Sequence, residues 1–322
     1  MKRRGMLIWS FDFGEYWIDL AARMGLTVLG LHPIPDISAE DPRSLEELLR
    51  EIGTDGFRRR AELPAGRGID LEFEVHAMHL LLPRDGFREH PDWYRMDECG
   101  VRSNDLNCCP SCGEALDHIE RQAEALAEQL APYTTSHRYS FWTSDSGKFC
   151  RCEKCRELSP SDQALILYHR ILRGIRRVDP QATHSFLAYQ NTLQAPRKIR
   201  PEEGIFLEYA PIDRDSAFAL DDPSCWKNVC QTAPLRELLE VFGTKDAQVL
   251  EYWMDNSRFY GWRHPFGELP FYQGVLRRDA AFYASRGFES VTSFGCGLNA
   301  AYARDYGEAP MLEYGRILKE LP

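Results

Sequence analysis

Short β-prone runs alternate with helical runs along nearly the whole chain, and this limits it to a few architectures. The β-prone runs are MLIWSF (6–11), TVLGLH (27–32), DLEFEVHAM (70–78) and RYSFWTS (138–144), then THSFLAYQ (183–190), GIFLEYA (204–210), AQVLEYW (247–253) and ESVTSFG (289–295). Helical patterns fall between them at 15–24, 44–61, 113–131, 160–178, 234–242 and 272–286, with a last one at 311–320. Gly25, Gly243 and Gly287 follow three of them, where helix C-caps favour glycine. Only Pro196–Glu203 separates the fifth run from the sixth, which leaves little room for a full helix. Strand alternating with helix predicts a parallel sheet with right-handed crossovers. About eight such units fit a (β/α)8 TIM barrel of the α/β class better than an open doubly wound sheet. No Pro/Gly/Ser-rich linker, internal repeat or composition shift interrupts the 322 residues, so the expectation is a single domain over 1–322.

A formal net charge of −10 argues against non-specific binding to nucleic acid, and Arg58-Arg59-Arg60 reads as a solvated helix face. No apolar run reaches the ~18 residues a membrane span needs. In MKRRGMLIWSFDFGEYW, Asp12 and Glu15 interrupt the apolar stretch, so it does not read as a signal peptide. The default expectation is a cytoplasmic protein with reduced thiols, no nucleic-acid or membrane partner, and homo-oligomerisation left open.

In a barrel of this kind, chemistry collects where strands end in loops at the C-terminal face. Those exits carry Asp12, His32, His76, His79, Asp145, Gln190, Asn191, Glu208, Glu251, Asp255 and Asn299, with aromatics such as Trp9, Trp142, Tyr189 and Trp253 beside them. Strand alternation groups Val249, Glu251, Trp253 and Asp255 on one face, and Phe206, Glu208 and Ala210 on another. A carboxylate facing the apolar helix layer needs a partner, so Glu251 is expected at the lumen or its mouth. Carboxylates converging among flat rings suit glycosidic-bond hydrolysis, where one acid protonates the leaving oxygen and another acts as nucleophile or base. Asp145 is the expected general acid, with Glu251 or Glu208 as its partner. Asp12, His32, His76, His79, Trp142, Gln190, Asn191, Trp253 and Asp255 are the expected saccharide contacts. The competing readings are buried ion pairs, Glu208 with Arg214 and Glu251 with Arg258, or a non-hydrolytic sugar-binding protein or sugar-acid isomerase or lyase.

Cys150-x-Cys152-x2-Cys155, preceded by Cys109-Pro110-Ser111-Cys112, has the spacing of zinc knuckles. That is five well-spaced thiolates for four tetrahedral positions, with Cys108 a sixth candidate. A closed set of four leaves no place for water, so the expected zinc is structural. A deaminase would need H-x-E ahead of P-C-x-x-C, and His76-Ala77-Met78-His79 is not that. G-C-G-L-N-A at 295–300 matches a dinucleotide fingerprint but lies too near the end of the chain for a βαβ unit to follow, and reads as the last βα loop.

HPDWYRMDECGVR (90–102), NCCPSCGEAL, DSGKFCRCEKC and LAYQNTLQAPRKIRPEEGIFLEYAPIDRD, followed by DDPSC, together resemble the DUF4838 family across roughly residues 70–300. The resemblance implies a glycoside-hydrolase-type TIM barrel and carbohydrate-related activity. It also implies the ligand set Cys109, Cys150, Cys152 and Cys155, with Cys112 spare and Cys108 where relatives carry leucine. Relatives follow the aspartate with Asp or Asn and then Gly, whereas this chain has Asp145-Ser146-Gly147.

Overall fold

The eight β-prone runs become eight strands in the computed structural model, which describes residues 1–34, 40–41, 43–105, 107–145 and 148–321. They are β1 (Arg3–Trp9), β2 (Val28–His32), β3 (Asp70–His76), β4 (Arg138–Trp142), β5 (Thr183–Ala188), β6 (Ile205–Tyr209), β7 (Gln248–Glu251) and β8 (Ser290–Phe294). Each pairs in parallel with the next, and β8 returns to β1, closing a (β/α)8 barrel. Such a strand is buried on both faces, the outer against helices and the inner in the lumen. Leu29 and Leu31 thus pack outward in the main core, while Leu7, Trp9, Trp142, Leu187, Leu250, Tyr252 and Phe294 form a second apolar cluster inside.

Below that inner cluster the lumen is polar. Arg3 pairs with Glu72 at 2.5 Å, and the Arg138 guanidinium sits 3.8 Å from the centre of the Phe206 ring. One level higher, Gln248 Nε2 donates to Glu208 at 2.8 Å and to Glu74 at 3.3 Å. Burial pushes both carboxyls up, and at Glu74 the neighbouring charges of Glu208 and Glu72 add to the effect.

Local signals explain most of the outer layer. The expected helix over 44–61 is two, Leu45–Ile52 and Asp55–Ala65, because Ser44 and Thr54 each cap a new start by accepting the N–H three residues on. No α-helix joins β5 to β6, only the single 3-10 turn Gln190–Thr192. Instead, Asp162 at the start of the helix Pro160–Ile175 accepts the backbone N–H groups of Arg197, Lys198 and Ile199 at 2.7–2.9 Å and fixes the connection. That helix packs so closely on Gly113–Leu130 that a Cβ on Gly174 would meet the Glu120 carbonyl oxygen at 2.2 Å. Among the described residues no helix is long and apolar enough to cross a membrane.

His184 on β5 is fully enclosed. Its Nδ1 donates to the Ser185 carbonyl at 2.7 Å and its Nε2 accepts the Phe141 N–H at 3.1 Å, an arrangement open only to the neutral ring. Burial lowers its pKa to about 3, and that of His32 to about 4. An unfolded histidine takes up its proton near pH ~6.5, so the unfolded state binds more protons as pH falls below that value. Stability is therefore expected in full above pH ~6.5 and lost toward pH 4 and below, on the order of 3 kcal/mol per histidine. Urea unfolding at pH 7 and pH 4 checks this, with a shallower pH slope expected for His184→Gln.

Candidate active site and metal centre

A cavity of about 480 Å³ opens at the C-terminal mouth of the barrel. Its walls are aromatic and apolar, with Trp9, Trp142, Leu187, Leu250, Tyr252, Phe266 and Phe294 among them. Two carboxylates line it among the described residues, Asp145 beyond β4 and Asp255 beyond β7. Tyr189 donates its hydroxyl to Asp145 Oδ1 at 2.7 Å. Burial, together with the Asp145 charge, pushes the Tyr189 phenol far up, so it remains the donor. Asp255 caps the short helix Asn256–Phe259, its Oδ1 accepting the Ser257 hydroxyl at 2.6 Å and the Arg258 N–H at 3.1 Å. Burial raises the Asp255 pKa against the pull of those donors and of the Arg258 charge.

Two histidines complete the inner end of the cavity. His32 Nδ1 lies 2.7 Å from the Glu74 carbonyl and His76 Nδ1 lies 2.6 Å from the Thr143 carbonyl, with the ring centres 5.9 Å apart. The Trp142 indole N–H donates to Glu208 at 2.9 Å, so this ring is cavity wall on one side and a lid over the polar lumen on the other.

Several expected site residues lie elsewhere. Glu208 does face the lumen, but it is fully buried beneath Trp142 and does not line the cavity. Glu251 points outward into the helix layer, because a partner awaits it there: Arg214 at 2.8 Å and the Tyr283 hydroxyl at 2.6 Å. Arg214 also holds Asp279 at 2.6 Å, so the buried pair is Glu251–Arg214 rather than either expected pairing. Trp253 shares that outward face and donates to Asp279 at 3.0 Å. His79 falls in a helical turn, Met78–Leu81, and meets Glu46 at 3.2 Å instead of the cavity. Asp12 lies outside the cavity lining, 3.3 Å from Asn299. Gln190 and Asn191 edge a small indentation behind Asp145 rather than the main cavity. Ser146 and Gly147 lie outside the described residues.

Tyr252, Ser257, His264, Phe266 and Cys296 also line the cavity and were not among the expected site residues. Most belong to the long loop after β7, which carries no strand periodicity to place them.

The cysteines converge as spacing suggested. The Sγ atoms of Cys109, Cys150, Cys152 and Cys155 all lie within 4.8 Å of one another and are buried. Cys109 Sγ is 3.7 Å from that of Cys152 and 3.9 Å from that of Cys155. Four thiolates at ~2.3 Å around one tetrahedral ion would stand roughly 3.8 Å apart, so the set fits such a metal. Cys112 stands beside the four, half-buried, its N–H donating to the Cys109 carbonyl at 3.0 Å. The segment 90–102 packs on this centre, with Met96 against the thiols and Trp93 O accepting the Cys109 N–H at 2.8 Å; it lines the cysteine side and not the cavity. Gln163 grips the Cys150 backbone from the helix behind it through two 3.0 Å hydrogen bonds, while Asn107 accepts the Ser144 N–H at 2.9 Å. The centre therefore anchors the loop that presents Asp145. Stripping any metal held there with a strong chelator, or Cys155→Ser, is expected to lower the melting temperature by several degrees and to loosen residues 143–145 and 148–150, which hydrogen exchange would register.

The (β/α)8 fold is shared with solved barrels named as glycosidases. The solved structures it resembles include a GH5 subfamily 4 endo-β-1,4-glucanase from Bacillus licheniformis (TM-score 0.59, 10% identity, covering 100% of this chain and 60% of that one). A β-galactosidase from the psychrophilic Marinomonas ef1 gives 0.57 and 11%, covering 99% and 59%. An exo-β-1,4-mannosidase from Opitutaceae bacterium strain TAV5 gives 0.51 and 12%, covering 99% and 60%. The chain thus spans about three fifths of the length of these structures. No curated protein matches its sequence. Residues 55–312 match DUF4838, a domain of unknown function, and the chain belongs to that family.

Proposed function

We propose that the protein cleaves a glycosidic bond in a small saccharide bound at the barrel mouth. The observation that carries this reading is the pair Asp145 and Asp255, the two carboxylates among the described residues that line an aromatic-walled cavity. A sugar ring stacked on those walls would lie against both carboxyl groups. Asp255, whose pKa is raised by burial, suits the group that protonates the leaving oxygen. Asp145, oriented by Tyr189, then attacks the anomeric carbon or takes the proton of an attacking water. Trp262, 62% exposed at the rim, offers a platform for the leaving group. The likeness to a glucanase, a galactosidase and a mannosidase supports the reaction class, and the sugar is left to the test.

The four-cysteine centre is read as zinc with a structural role. Four thiolates close the tetrahedron and leave no position for water or substrate.

Sugar release by the zinc-replete protein across aryl glycosides and oligosaccharides tests the proposal. Turnover that survives removal of contaminating activity is the expected result. Silence across the panel, with sugars still bound, would turn the reading to a non-hydrolytic binding protein.

A further inference from the structure

The cavity is rich in acceptors and poor in cations. Arg43 is the one Lys or Arg among its described lining residues, and its guanidinium is already committed to Asp41 through bonds of 2.8 and 2.6 Å. Arg258 lies behind the Tyr252 ring, spending its Nη atoms on Ser216 and on the Ile212 and Arg214 carbonyls. Facing the cavity instead are Asp145 and Asp255 with three histidines, His32 and His76 at its inner end and His264 on the loop after β7.

The two inner histidines have a defined polarity. A carbonyl oxygen only accepts, so Nδ1 of each carries the proton donated to Glu74 or Thr143. In the neutral ring Nε2 is then a lone pair, and no protein group among the described residues donates to either one. The hydroxyl of Tyr252 is a neutral donor among the lining residues.

We propose that this cavity selects a glycone with no anionic substituent, a neutral or amino sugar whose protons are accepted by the paired Nε2 atoms of His32 and His76. A carboxylate, sulfate or phosphate on the ring would face two aspartates, and the one Lys or Arg among the described lining residues is already paired with Asp41. Rings whose centres are 5.9 Å apart can be bridged by two hydroxyls of a single sugar. This rests on the cavity being the saccharide site proposed above, but not on any bond being cleaved.

The test is calorimetric binding of monosaccharides to the wild-type protein. Glucose, galactose and mannose are compared with glucosamine, glucuronate and galacturonate. At least one neutral or amino sugar should bind, and the corresponding uronate should bind about tenfold more weakly or worse. His76→Phe, which keeps an aromatic wall but removes the acceptor, should weaken the neutral sugar about tenfold. His76→Gln, which keeps an accepting oxygen, should recover part of that loss. A uronate bound as tightly as its hexose, undiminished binding by His76→Phe, or no binding of any neutral or amino sugar overturns the inference. A protein that binds hexoses selectively but cleaves no glycoside would keep the inference and sink the hydrolytic reading.

Discussion

Asp145→Asn is expected to abolish turnover on every glycoside, by a factor of about 10³ or more, while the barrel keeps its melting temperature. The amide fills the same space and still accepts the Tyr189 hydroxyl, but it can neither attack the anomeric carbon nor activate water. Asp255→Asn should behave differently. The amide oxygen continues to cap the helix Asn256–Phe259, so folding is retained, while the proton for the leaving oxygen is gone. Glycosides of alkyl alcohols should then lose about 10²–10⁴ in rate, and nitrophenyl glycosides, whose leaving group needs little protonation, much less. Steady-state kinetics on the two substrate types separates the roles. The opposite dependence would exchange acid and nucleophile between the two positions.

The second large effect concerns stability. Arg214 is fully buried between Glu251 and Asp279, and its Nη2 also donates to the Phe218 carbonyl at 2.8 Å. Burial pushes Asp279 up to about 6 even with the guanidinium beside it, which shows how unwelcome a bare charge is there. Arg214→Met would leave two buried carboxyls without a counter-charge, and should cost about 3–5 kcal/mol in denaturant unfolding. Glu251→Gln removes one charge but leaves an oxygen for Arg214 and Tyr283, so it should cost less and leave turnover intact. Loss of turnover in a fully folded Glu251→Gln protein would return that residue to the active site.

Glu251 also marks where sequence reading reached its limit. The alternation along β7 is real: Glu251 and Trp253 share a face, opposite Leu250 and Tyr252. Which face is inner could not be read from polarity, because both faces of a barrel strand are buried and this lumen is apolar at its mouth. The deciding fact is a counter-charge on a distant loop, Arg214, with Tyr283 on the helix Gln273–Ser285. Periodicity along one strand contains no information about either. Asp255 does line the cavity as expected, but as the cap of the helix Asn256–Phe259 and not on the face of Glu251, while His79 lies in the helical turn Met78–Leu81; both are past the last paired residue, where period two no longer applies.

Other features were legible because their signals are local. The knuckle spacing of Cys150, Cys152 and Cys155 brings three thiols together within one turn of chain, and Cys109 joins them from the neighbouring loop. Trp142, His32 and His76 were placed correctly at the mouth because they close their strands and point inward. Eight strands followed from alternation, although their ends shifted by a few residues wherever a loop residue was also β-prone.

A crystal structure of the Asp145→Asn protein soaked with an oligosaccharide would show whether Asp145 and Asp255 flank the scissile bond. The expected result is a sugar ring stacked among Trp9, Trp142 and Phe294, with its scissile oxygen within hydrogen-bonding reach of Asp255 and its anomeric carbon facing residue 145. A saccharide bound away from both carboxyl groups, or one whose glycosidic bond lies nearer another pair of acids, would contradict it.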